Sequence, residues 1–142
     1  MNTVTYKLQE NNGKLRPFIP IVVINPETGT KVNVMALVDT GADACAFPEH
    51  VASGTKHILK GVNVVNSVSS GIGGVDVSTW KHTFVIGLLD PTFQKVIKWT
   101  DRILIDCFEH NNAPPLLGTE NFLKDFILSV DYPNKSLTLS WR

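Results

Sequence analysis

The chain has 142 residues, 43% of them hydrophobic and 18% charged, with a mean hydropathy of +0.05. That length suits one domain, residues 1–142, with a single sizeable core, and the composition excludes disorder as the main state. Basic and acidic residues number 13 each, so the net charge is zero, and the basic excess of a nucleic-acid or membrane-surface protein is missing.

Met1–Lys7 has no apolar leader-like core, and the longest aliphatic run, Val34–Val38, is only a strand's length before Asp39. The expectation is a cytoplasmic protein with no membrane span. Phe18–Ile24 is apolar and β-branched and ends at the turn cluster Asn25-Pro26-Glu27-Thr28-Gly29. Lys31–Val38 reads as its hairpin partner, apolar on both faces near its end. Gly61–Ser70 alternates toward Gly71-Ile72-Gly73-Gly74, and Val75–Ile86 alternates away from it. Two alternating arms around glycines describe a long hairpin with a Gly-rich tip. Lys95–Trp99 and Ile103–Ile105 are further strands. After Gly118, Thr119 is a candidate cap, and Phe122, Leu123 and Phe126 share one face, which predicts a short helix. Ile127–Tyr132 and Ser136–Trp141 form a closing hairpin around Pro133-Asn134-Lys135. The sum is a mainly β domain with one short C-terminal helix.

Cys45 and Cys107 are too few for a disulfide framework and read as reduced, structural thiols. The four histidines (His50, His57, His82, His110) show no metal-binding spacing, and no CxxC occurs. Neither a metal nor a cofactor is expected. Ser69 or Ser70 with His82 lacks the nucleophile elbow of a serine hydrolase. Gly71-x-Gly73 lacks the third glycine and the helix of a dinucleotide site.

The sharpest feature is Leu37-Val38-Asp39-Thr40-Gly41-Ala42-Asp43. It sets an ionisable carboxylate directly after an apolar strand, followed by small residues that let backbone approach. Asp-Thr-Gly is also ordinary turn chemistry. Its place in a series is what makes it informative: the Gly-rich tip follows about thirty residues later, and Pro115-Leu116-Leu117-Gly118 then leads into the predicted helix.

That ordered set resembles the retropepsin-like (retroviral-type) aspartic proteases, over roughly Pro17 to Leu139, in the style of the cellular and bacterial members. The resemblance implies an acid-protease closed barrel that works as a homodimer on extended polypeptide. Asp39 would be the catalytic carboxylate. Thr40 would brace the loop against the partner subunit, and Gly41 would approach the carboxylate and the substrate. Ala42 and Asp43 would line the cleft, and Ser70, Gly71, Ile72, Gly73 and Gly74 would meet substrate from a closing flap. Leu116, Leu117 and Gly118 would pack behind the catalytic loop. Many retroviral members carry Arg after that glycine, paired with an acidic residue. Thr119 stands there in this chain and leaves the partner of Asp43 open.

Aspartic proteolysis needs two carboxylates sharing one proton. One Asp-Thr-Gly occurs, and no Asp-Ser-Gly, so the two-lobed pepsin-type enzymes fit less well. A two-fold dimer that brings Asp39 from each copy to the axis would complete the pair. The alternative is a non-catalytic module of the same fold that dimerises or binds peptide. A small β-barrel binding module with a chance motif is a more remote one.

Overall fold

The computed structural model describes residues 1–70 and 75–142. Its strands are β1 (Asn2–Lys7), β2 (Gln9–Asn11), β3 (Lys14–Arg16), β4 (Phe18–Ile24), β5 (Lys31–Val38) and β6 (Ala46–Phe47), with a short helix α1 (Glu49–Gly54). There follow β7 (Asn66–Ser70), β8 (Asp76–Leu89), β9 (Val96–Trp99), β10 (Ile103–Cys107), β11 (Leu116–Leu117), β12 (Ile127–Asp131) and β13 (Ser136–Trp141). The protein is thus mainly β, and no helix among the described residues is long and apolar enough to cross a membrane.

The expected first hairpin forms, with Phe18 opposite Leu37 and Ile24 opposite Lys31. Its turn closes locally. Asn25 Oδ1 accepts the Glu27 amide, the Gly29 amide donates to the Asn25 carbonyl, and Gly29 takes a φ of 74°, a region glycine enters without a side-chain clash. The strand order in the large sheet is β10-β6-β11-β5-β4-β8-β7. The 14-residue β8 also pairs with β9 and β10 along its length. The most important step in that order is non-local. β5 and β6 are consecutive in sequence, yet β11 lies between them, parallel to β5 and antiparallel to β6.

β1, β13 and β12 make a separate three-stranded sheet with β13 in the middle. Both long edges of the C-terminal strand are therefore paired within the chain. Val4 and Tyr6 on one side and Leu137, Leu139 and Trp141 on the other bury the inner face. The Tyr6 hydroxyl donates to the Leu89 carbonyl and ties this sheet to the end of β8. Burial, and secondarily the Asp90 charge, hold that phenol well above its ordinary pKa. The core joins Phe47, Phe84, Ile19, Ile21, Ile86, Ile105 and Leu117, all fully buried. An aromatic file, Phe122, Phe126 and Trp141, with centroids 5.0 and 5.7 Å apart, seals the terminal sheet against it.

Two expectations are corrected. The segment after Gly118 does not form an α-helix but a single 3-10 turn, Leu123–Asp125. Phe122 leaves helical geometry, at φ −137°, while its ring is buried and the Asn121 side chain is drawn to the Cys45 amide at 2.8 Å. Tertiary anchors outweigh local propensity in this segment. The α-helix lies instead at Glu49–Gly54, burying Val51 and Ala52. The first arm of the long hairpin is also shorter than its alternation suggests. Only Asn66–Ser70 is strand, because the chain turns at Gly61, whose amide donates to the Ile58 carbonyl and whose carbonyl accepts the Val64 amide. The tip, Gly71–Gly74, lies outside the described residues.

Loop 55–60 is clipped to β8 by two histidines. His57 Nε2 donates to the Thr83 carbonyl and His82 Nε2 to the Leu59 carbonyl, both at 2.9 Å, with ring centroids 4.6 Å apart. Burial, and secondarily the neighbouring His57, lower the pKa of His82 below its ordinary 6.5. A group whose folded pKa is depressed resists protonation, so its stability contribution is full above the unfolded value and fades as pH falls below it. The denaturant midpoint is therefore expected to drop on moving from about pH 7.5 to about pH 5, either side of the ordinary imidazole value. His82→Gln, whose amide can still donate to Leu59, should drop less. An equal drop in both proteins would remove His82 from the acid response.

Candidate active site

Asp39 follows the last residue of β5, and its position is set by three backbone bonds from two sides, the β11 segment and the residue before β4. The Leu37 amide donates to the Pro115 carbonyl (2.8 Å), the Val38 amide to Pro17 (2.9 Å) and the Asp39 amide to Leu117 (3.0 Å). The carboxylate is fixed as well, because its Oδ1 accepts the Gly41 amide at 3.0 Å. The Ala42 amide turns back onto the Asp39 carbonyl at 3.2 Å and makes the loop a tight one.

The far side of that loop is laced to the segment after β11. The Thr119 amide donates to the Ala42 carbonyl (2.9 Å) and the Glu120 amide to the Asp43 carbonyl (2.7 Å). The Thr119 hydroxyl also donates to the Ala42 carbonyl, at 3.3 Å. Thr119, the departure from the retroviral pattern, thus braces the loop through its backbone and hydroxyl. Asp43 is exposed. Among the described residues the ion pairs are Lys60–Glu109 and Lys81–Asp106, so Asp43 is in none.

Gly118 is where the two segments touch most closely. A β-carbon there would lie 2.4 Å from the Ala44 carbonyl carbon and 2.7 Å from its nitrogen. Beside it, Cys45 Sγ accepts the Gly118 amide at 3.4 Å. Cys45 and Cys107 are both buried free thiols, and burial pushes them up to about 11 and about 12. A thiol held protonated is a poor nucleophile, so these residues are packing groups.

The loop forms one wall of a cleft of about 620 Å³. Asp39, Gly41, Ala42 and Asp43 line it, as do Leu116 and Ala46 from the adjoining strands. Ser69 and Val77, directly opposite each other in the β7–β8 ladder, line it from the hairpin arms. Thr40 is exposed. Ser70 ends β7, opposite Asp76. Gly71, Ile72, Gly73 and Gly74 lie outside the described residues. Sequence reasoning missed Asp106, Phe108 and His110 on the same cleft. Their placement depends on β10 pairing with β6 and β8, a long-range register with no local signal.

Gly118→Ala tests the lacing. Because the clash is with backbone, about 3 kcal/mol of destabilisation is expected, measured by denaturant unfolding. A loss below about 1 kcal/mol, the scale of a tolerated swap, would mean the contact is not close.

No family model matches the chain, and no curated protein matches it. Among solved structures, it is similar to a retropepsin-like aspartic protease from Rickettsia conorii. The two are 18% identical, with a TM-score of 0.65 over 99% of this chain and 91% of that one. At that identity the likeness establishes the fold, which is similar to that of a retropepsin-like aspartic protease.

Proposed function

We propose that the chain is one half of an aspartic endopeptidase that cleaves extended polypeptides as a homodimer. The observation that carries this reading is the single Asp39 carboxylate, oriented by the Gly41 amide on the wall of a cleft whose other side is the β7–β8 hairpin. The fold likeness supports it, and the pairing of β8 with both β4 and β10 supports the closed barrel.

One carboxylate cannot perform the reaction alone. Two Asp39 groups meeting on a two-fold axis would repel as anions, so the pair retains one proton. The ionised member takes a proton from a water as its oxygen attacks the peptide carbonyl carbon. The protonated member donates to the carbonyl oxygen. The tetrahedral diol then collapses: one hydroxyl gives its proton to the ionised member while the other member protonates the departing nitrogen, the C–N bond breaks, and the pair is left sharing one proton. Gly41 orients Asp39 through its amide, and Thr40 meets the partner's loop, a role its exposure supports. Ala42 and Asp43 contact the substrate backbone. Ser70, Gly71, Ile72, Gly73 and Gly74 form the flap that closes over it and excludes water. Substrate binds extended, its side chains alternating between the two walls.

Cleavage of an unstructured peptide is expected on the acid side of neutrality. Asp39→Asn keeps the side-chain shape but loses the acid–base function, and its rate should fall at least about 10³-fold. Sedimentation should show the same dimer for both proteins. Parent-like cleavage by the Asn protein would refute the mechanism. Peptide binding without cleavage by either protein would favour the non-catalytic module.

A further inference from the structure

The end of the cleft away from Asp39 is built differently from the rest. β5, β11, β6 and β10 lie side by side, so two strands separate β10 from β5. Just beyond β10, Phe108 and His110 stack with centroids 5.0 Å apart and planes 12° from parallel. Both line the cleft. The stack is held rigidly. The Phe108 amide donates to the Phe47 carbonyl (2.9 Å), and the His110 carbonyl accepts the Glu49 amide (3.1 Å). His110 Nδ1 accepts the Asn112 amide at 3.2 Å, which sets the ring's orientation. Asn111 Oδ1 accepts the His50 amide at 2.9 Å and pins the same loop to α1.

Beside the stack the lining is apolar or ion-paired, and the carboxylates Asp39 and Asp43, in no ion pair among the described residues, belong to the loop after β5. Ala46 and Leu116 floor the path between Asp39 and the stack. Asp106, the nearest carboxylate along the strand, is paired with Lys81 at 2.8 Å, and its side chain is only 15% exposed. A flat aromatic face at this end of a cleft is suited to a large uncharged side chain, because it gives apolar area and ring stacking without a polar partner to satisfy.

We propose that the Phe108–His110 stack is the specificity wall of the cleft. It receives an aromatic or branched aliphatic side chain of the bound polypeptide. The residue read therefore lies to one side of the scissile bond. This inference rests on the proteolytic reading of the cleft and adds the substrate class to it.

The test profiles a mixed library of unstructured peptides with parent, Phe108→Ala and Phe108→Leu proteins, scoring preference at every position around the cut. The parent should favour large apolar residues at one such position. Phe108→Ala should lower kcat/KM for those peptides about tenfold relative to peptides with Ala at that position. Phe108→Leu should shift preference from aromatic toward aliphatic residues, and it decides the matter if the Ala protein does not fold. An unaltered profile in the folded variants overturns the proposal. If the parent cleaves nothing, the proteolytic reading fails separately. Fluorescence binding of the same labelled peptides then decides: selective binding of large apolar peptides that weakens in the variants upholds the wall, and equal binding overturns it.

Discussion

The contact between Gly118 and the backbone of Ala44 is the constraint on which the rest of the structure turns. It exists because β11, from late in the chain, inserts between β5 and β6, which are neighbours in sequence. That insertion presses residues 117–121 against the loop that carries Asp39. The loop then has no freedom to wander, because its amides and carbonyls are committed on both sides. A carboxylate used as an acid or base must be held to within a fraction of an ångström. A surface turn could not do that, and a turn clamped by a parallel strand can.

The same insertion shapes the cleft. Leu116 faces Leu37 on one side and Ala46 on the other, so the strand that stabilises the loop also supplies part of the wall beside Asp39. Cys45, fully buried, accepts the Gly118 amide. Thr119 ties the loop to the segment after β11 by hydrogen bonds to the Ala42 carbonyl. The Asp43 carboxylate is left exposed at the cleft.

The parts of the fold that were legible in the sequence are those with local causes. Asn25–Gly29 specifies a turn through its own side chain and a positive φ, and the hairpin around it follows from apolar strands on both sides. Asp39 stood out because a charge ended an apolar strand. The N-terminal strand carries a comparable signal in the alternation of Val4, Tyr6 and Leu8, and Asn12-Gly13, both at positive φ, marks the β2–β3 turn. The helix expected after Gly118 failed for a tertiary reason. Phe122 and Phe126 at helical spacing serve an aromatic file that an extended bend also satisfies. α1 is too short to show periodicity, its buried Val51 and Ala52 being adjacent. Asp106, Phe108 and His110 reach the cleft through strand register alone, and register between distant strands leaves no mark on either segment.

The proposed reaction requires two chains to supply one catalytic pair of carboxylates. The direct measurement is the rate of peptide cleavage per mole of chain across a dilution series, with the oligomeric state followed by sedimentation in the same samples. Specific activity should fall with dilution in step with the loss of dimer. A specific activity that stays constant in a fully monomeric population would contradict the account.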